Sequence, residues 1–341
     1  CGIPDPTGGD CTQIGTWDVS TKTCTLTADV IVTSSGAAIY VGQTIEYIST
    51  TGITIDGAGH TITGPGTAYG NYGVRSSQTA QITVKNLVIE NFYNGIRTVN
   101  TNGITITGNT ISDSGSYGIS VGASSGATGV LVSDNTIQNG LSGIELHNLK
   151  GNESCSGDHE GAPSYWLLGG QYGDPYPVIV KDNTITGVSQ WGVSITAAQA
   201  CVDGNTITSA GSGMNISGFS LTYPSEGVSN DNNIISNNVV TSSTNDGIRI
   251  ISDNNLIDGN TSNGAQYYAG FSFDSRSQNN IITNNIANNN AQYGFEFEHD
   301  DATPDSHAGH TFTGNTASGN SLGDIVTTTW VGWPSGYMCW L

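Results

Sequence analysis

Three groups of residues have the types and spacing to do chemistry. The loop HDDATPDSHAGH sets Asp300, Asp301 and Asp305 among His299, His307 and His310. Clustered carboxylates of this kind suit a hard cation such as Ca²⁺, although the D-x-D-x-D-G calcium-loop spacing is absent. A second stretch, residues 149–177, carries Tyr165, Trp166, Tyr172 and Tyr176. Such rings stack on sugars, fill a protein interface or pack back on their own chain. The third group is dispersed: Arg249, Asp274, Glu296, Glu298 and His299. Whether these five meet depends on the path of the chain between them.

Charge narrows the partners. The 341 residues hold 8 Lys+Arg against 28 Asp+Glu, a formal charge of −20. Nucleic-acid binding starts from a basic patch, so DNA and RNA are excluded as expected partners. A polyanionic sugar is disfavoured for the same reason. No run of about 18 apolar residues exists to span a membrane.

The path of the chain follows from an internal repeat. G-N-T-I and its variants recur at Asn86, Asn109, Asn135, Asn183, Asn205, Asn238, Asn260, Asn285 and Asn315. Most copies are spaced 22 to 26 residues apart. A Gly followed by an apolar residue comes eight to ten residues after each of the first eight, at Gly95, Gly118, Gly143, Gly192, Gly213, Gly247, Gly270 and Gly294. Each copy therefore holds three short apolar/polar alternations, I-x-I, T-I and G-I-x-V. Strands this short cannot bury a face alone, but stacked coil on coil they pair about 4.8 Å apart and share one apolar column. The repeat predicts an all-β, single-stranded parallel β-helix with three faces and about ten coils. In it the Asn turns the chain or joins an amide ladder. The Gly is expected to supply a backbone conformation closed to other residues.

Stacking aligns the outward residues of the third strand. They run Arg75, Arg97, Ser120, Glu145, Ser194, Asn215, Arg249, Ser272 and Glu296, with His147, Thr196, Ser217, Asp274 and Glu298 in the next column. Arg249, Asp274, Glu296, Glu298 and His299 thus fall within a few coils and form the best catalytic candidate. The repeat explains them equally well as a solvated face, with Phe295 and Phe297 pointing in and Glu296 and Glu298 pointing out.

These copies resemble the right-handed β-helix repeats of NosD-type and pectate-lyase-like proteins over roughly residues 50–327. The segment WDVSTKTCTLTADVIV followed by GITIDGAGHTITG also resembles β-helix proteins of archaeal, methanogen-like cell surfaces. Polysaccharide lyases of this fold use an Arg or Lys base beside carboxylate-bound Ca²⁺, so the resemblance implies that role for Arg249 and its neighbouring carboxylates. YGFEFEH (Tyr293 to His299) is similar to the Y-G-F-D-P-H motif of alginate epimerases and departs from it at D-P.

Residues 1–50 are expected to cap one end and supply the first strands, residues 51–327 to form the β-helix, and residues 328–341, with their Trp and Cys, to cap the other end. Insertions at about 149–177, 218–232 and 299–310 all leave just after the third strand. Six cysteines without C-x-x-C spacing suggest disulfides rather than zinc, in an exported protein. Cys11–Cys24 is the preferred pair, with Cys1, Cys155 and Cys339 as further candidates. Cys201 is expected to be a buried, inward-facing thiol. The chain begins at Cys1, which fits a processed product. Asn152 and Asn215 are candidate glycosylation sites.

Composition and repeat lead to a secreted or cell-surface structural rod that assembles with copies of itself into a layer, sheath or filament. The alternatives are a carbohydrate-active enzyme, lyase or epimerase-like, working through the Arg249 to His299 region, and a non-catalytic glycan-binding or adhesion module.

Overall fold

The structure, a computed structural model, describes residues 9–42, 51–77, 79–127, 129–150, 177–218, 231–275, 277–298 and 309–327. Three sheets run the length of the molecule, of 12, 11 and 11 strands. Successive strands of a coil go to the first, second and third sheet in turn, as in Asn102–Thr107, Thr110–Ser112 and Tyr117–Ala127. Each strand pairs in parallel with its equivalent one coil away, Ile104 with Val130, Ile111 with Ile137 and Ile119 with Ile144. The antiparallel exception is Gly15–Asp18, which folds back on Thr23–Leu26.

The β-helix begins earlier than residue 51. Thr23–Leu26 pairs with Thr51–Asp56, Val30–Ile31 with Thr61–Thr63, and Ala37–Gly42 with Tyr72–Ser77. Residues 23–42 are therefore already a coil. Among the described residues a 3-10 turn, Gly9–Gln13, and the Gly15–Asp18 strand precede it, tied to the first coil by the Cys11–Cys24 disulfide.

Inward side chains form one column of Ile, Val, Leu and Phe, nearly all with no solvent exposure. At the C-terminal end the column turns aromatic: Phe271 stacks on Phe295 at 4.9 Å and Phe273 on Phe297 at 4.8 Å. That separation is the coil spacing itself, so identical rings stack without distortion.

The asparagines form a buried ladder. Asn205 shows the pattern: its Nδ2 donates to Val180 O and Asp203 O at 2.9 and 3.2 Å and to Asn238 Oδ1 at 2.9 Å. Its Oδ1 accepts from the backbone N–H and the Nδ2 of Asn183. The ladder runs Asn109, Asn135, Asn183, Asn205, Asn238, Asn260, Asn285 and Asn315. Shorter ones join Asn233, Asn255, Asn280 and His310, and Asn290 with Asn320. Asn86 is not a member. The register places Leu87 opposite the ladder, and the Leu87 N–H donates to Asn109 Oδ1. Asn86 instead aligns with the residue before each ladder Asn, which has positive φ: Asn86 54°, Gly108 64°, Asp134 56°, Gly204 64°. The turn and the ladder are thus separate duties of adjacent positions.

The recurrent glycines differ from expectation in their cause. None of the eight, Gly95, Gly118, Gly143, Gly192, Gly213, Gly247, Gly270 and Gly294, has positive φ. A Cβ on Gly95 would lie 2.5 Å from Ile111 Cγ2 and 2.6 Å from Gly118 O, with the same crowding at Gly118 and Gly192. They are glycines because a neighbouring coil and an inward Ile occupy the space.

Cys201 also departs from expectation. It pairs with Ile179 and Ile234, on the outward side of the first sheet, while Val202 beside it enters the core. Cys201 is disulfide-bonded and buried, so it is not a free inward thiol. Cys1, Cys155 and Cys339 lie outside the described residues.

Asn205→Ala removes donors and acceptors that couple three coils, leaving buried amide and carbonyl groups unpaired. It is expected to cost about 2–4 kcal/mol, read as a fall in the urea midpoint. An unchanged midpoint would show the ladder to be energetically idle.

Candidate active site

The third sheet brings the catalytic candidates together on its outer face. The register sets Asn215, Arg249, Ser272 and Glu296 in one column, one per coil. Arg249 lies on Ile248–Ile250, Ser272 on Phe271–Phe273 and Glu296 on Tyr293–Phe297. Asp274 and Glu298 each follow the last residue of their strand, where the chain leaves the sheet.

Arg249 bridges two of these coils. Its Nη2 donates to Asp274 Oδ2 at 3.2 Å and to Glu298 Oε2 at 3.3 Å. Ser272 Oγ donates to the other oxygen, Glu298 Oε1, at 2.7 Å. Asp274 and Ser272 are buried, whereas Arg249 and Glu298 reach the surface. Asp274 and Glu298 hold Arg249 itself. This differs from the resemblance, in which carboxylates hold a cation beside a free arginine base. Taking a proton from this guanidinium would leave two carboxylates facing each other.

A fifth member was missed in the sequence. Asp246 stands just before Gly247, where the other copies place neutral residues such as Asn94, Tyr117, Ser142, Trp191, Ser212 and Ala269. That lone charge in a neutral column was its signal. Asp246 Oδ1 accepts from the Ala269 N–H at 3.3 Å. Burial pushes its carboxyl up to about 6, with the Ala269 N–H and Arg249 opposing and Glu298 adding to the rise. Burial also pushes Glu296 up to about 7, helped by the charges of Asp246 and Glu298. Four carboxyls around one guanidinium cannot all ionise cheaply, and these two keep the proton longest. Such a pair can hold a proton at one oxygen and accept one at another near neutral pH.

Of the residues singled out in the sequence, Arg249, Asp274 and Glu298 are joined directly, and Glu296 is coupled to Glu298 through charge. His299, Asp300, Asp301 and Asp305 lie outside the described residues, as do Tyr165, Trp166, Tyr172, Tyr176 and Asn152. Among the described residues no group of three or more His, Cys, Asp or Glu is placed to hold a metal ion. His310 belongs to an amide ladder, its Nδ1 accepting from the Asn280 N–H at 3.1 Å, and is buried against Phe273 and Phe297. Asn215 is half-buried on the third sheet's outer face, while Asn260 is fully buried in its ladder. All three insertions fall in the sequence between a strand of the third sheet and the next strand of the first.

Residues 28–159 and 167–332 match the model of the right handed beta helix region, and the chain belongs to that family. No curated protein matches the sequence. Among solved structures it is similar to the catalytic domain of a GH87 alpha-1,3-glucanase bound to tetrasaccharides, at TM-score 0.54 and 15% identity, covering 91% of this chain and 63% of that one. It is similar to PfbA, a surface adhesin of Streptococcus pneumoniae, at 0.54 and 10%, covering 88% and 81%. It is also similar to the tailspike protein of E. coli bacteriophage HK620 bound to a pentasaccharide, at 0.55 and 11%, covering 90% and 58%. The chain thus spans less than two thirds of the glucanase domain and the tailspike. These likenesses show the fold. No helix among the described residues is long and apolar enough to cross a membrane.

The raised carboxyls fix a pH dependence. Between the ordinary carboxylate range and about 7 the folded chain holds more protons at Glu296 than the unfolded chain does. Stability contributed by this group is therefore present in acid and lost as pH rises towards 7. Glu296→Gln is expected to be more stable than the parent at pH 8, with the difference vanishing near pH 4. Thermal unfolding across this range checks it, and a constant difference would refute it.

Proposed function

We propose that the outer face of the third sheet is a glycan-binding surface and that the Asp246–Glu296 pair makes it hydrolytic. The observation that carries this is the placing of two half-buried carboxyls, raised to about 6 and 7, beside an arginine held by two more. Glycosidic bond hydrolysis asks for one carboxyl that donates a proton to the leaving oxygen and another that activates water or attacks the sugar. Glu296, the more raised of the two, serves as the acid, and Asp246 as its partner. Arg249 positions Glu298 and Asp274 and keeps their charge from spreading. A neutral sugar suits this end of the face, because the cluster holds more carboxyls than cations. The saccharide-bound glucanase and tailspike support the reading, since both place glycans on the same kind of scaffold. Export to the cell surface or medium is part of the proposal, supported by the disulfides at Cys11–Cys24 and Cys201.

A second reading, a rod that joins end to end with copies of itself, draws on one feature. At the last described coil the inward Ile325 is 37% exposed and Leu322 61% exposed, so the apolar column opens outward there. Negative-stain microscopy separates the two: filaments or sheets support assembly, and dispersed particles remove it.

Incubation with neutral and uronate glycans, read as new reducing ends, tests the hydrolytic reading. Glu296→Gln and Asp246→Asn are each expected to lower turnover about 10²–10⁴-fold. Turnover that survives both substitutions, or no turnover on any glycan, would overturn it.

A further inference from the structure

The N-terminal half of the same face holds a different chemistry. Arg75 and Arg97 lie directly opposite each other on adjacent coils. Like charges so placed repel, and the chain has only 8 basic residues with which to do this. Among the described residues neither forms an ion pair, although acidic residues outnumber basic ones more than threefold. By contrast Arg249 has two carboxylate partners and Lys85 has Asp56. The pair is held by rings instead. Arg75 lies 5.1 Å from the centre of Tyr72 and 6.0 Å from that of Tyr40, and Arg97 lies 5.8 Å from Tyr72. Arg97 Nη1 also donates to Tyr72 Oη at 3.5 Å. Arg75 Nε is buried and has no hydrogen-bond partner. On the Arg97 side of the pair, a cleft of about 390 Å³ is lined by Arg97, Asn100, Ser120, Glu145 and His147 among others.

We propose that Arg75, Arg97 and this cleft form a binding site for the oxyanion of an acidic glycan, a uronate carboxylate or a sulfate ester. Two guanidinium forks one coil apart suit an oxyanion taken by charge-assisted bonds. Ser120 and His147 add polar groups suited to sugar hydroxyls. The ligand's charge must be sparse. A chain at −20, with Glu145 in the cleft wall accepting from Ser120 Oγ at 3.1 Å and the Asp246–Glu298 cluster further along, repels a glycan charged at every unit. The site does not depend on turnover at Glu296, because it is read by binding.

Calorimetric titration of the full chain at low salt tests it, with a galactose-based trimer in which one unit is a galacturonate, a galactose trimer bearing one sulfate, and neutral galactose trimer. At least one acidic trimer is expected to bind about tenfold more tightly than the neutral one, and Arg97→Gln to lose about that factor. Whichever acid binds identifies the source of the oxyanion. Lys181→Gln, which removes the same charge on the first sheet, is expected to change nothing. Arg97→Lys, which keeps the charge but not the fork, serves if Arg97→Gln does not fold and is expected to weaken binding several-fold. Equal binding of acidic and neutral trimers, no effect of either Arg97 variant, or an equal loss in Lys181→Gln would overturn the proposal.

Discussion

Every other feature of this molecule rests on the contact between a coil and its neighbour. Most of the described strands have only three to six residues and none has a partner within its own coil, so their ladder bonds go to the coils on either side. The buried Asn column closes what the strands leave open at the sharp turn between the first and second sheets. Its amide is suited to this because it both donates and accepts, so one side chain satisfies groups on the preceding and the following coil. Leu87 shows what happens where the column starts: an apolar side chain takes the same buried position, and its N–H meets the first amide. The crowded glycines are the complement of this arrangement. Coils can approach at strand spacing at that corner because no Cβ stands between them.

This inner regularity leaves the outer faces free to vary, and the third sheet uses the freedom. Its outward column changes from tyrosine and arginine to carboxyls around Arg249. Each position is set by register, not by local sequence. Carboxyls more than twenty residues apart in the chain thereby come within reach of one guanidinium. The same stacking that aligns them partly buries Asp246 and Glu296, which is why these two hold their protons more tightly than in water.

The repeat was legible because periodicity survives in sequence whatever the turn geometry. The inward and outward sides of the third strand were legible too, since Phe295 and Glu296 alternate as a strand must. The details of the corners were not. Asn86 looks like a ladder residue one place out of register, because Asn serves both a left-handed turn and an amide ladder and composition does not say which. The glycines were recognised but given the wrong cause: a close approach between coils leaves the same letter as an unusual dihedral. Cys201 stands where the repeat leads one to expect an inward apolar residue, and only the pairing with Ile179 and Ile234 shows its true side. Asp246 went unseen because it stands in a turn before the strand, outside the columns that the alternation defines. That neither Arg75 nor Arg97 forms an ion pair among the described residues is a three-dimensional fact with no trace in the letters.

The shared register has a further meaning for the two ends of the third sheet. Arg97 and Arg249 lie in the same column, separated by Ser120, Glu145, Ser194 and Asn215. Their separation is therefore a whole number of steps, five of about 4.8 Å. It can change only by gain or loss of a complete coil, and each such change leaves the chemistry at either end untouched. The fold works as a gauge with fixed graduations, on which duplication or deletion of a repeat resets length and substitution resets affinity.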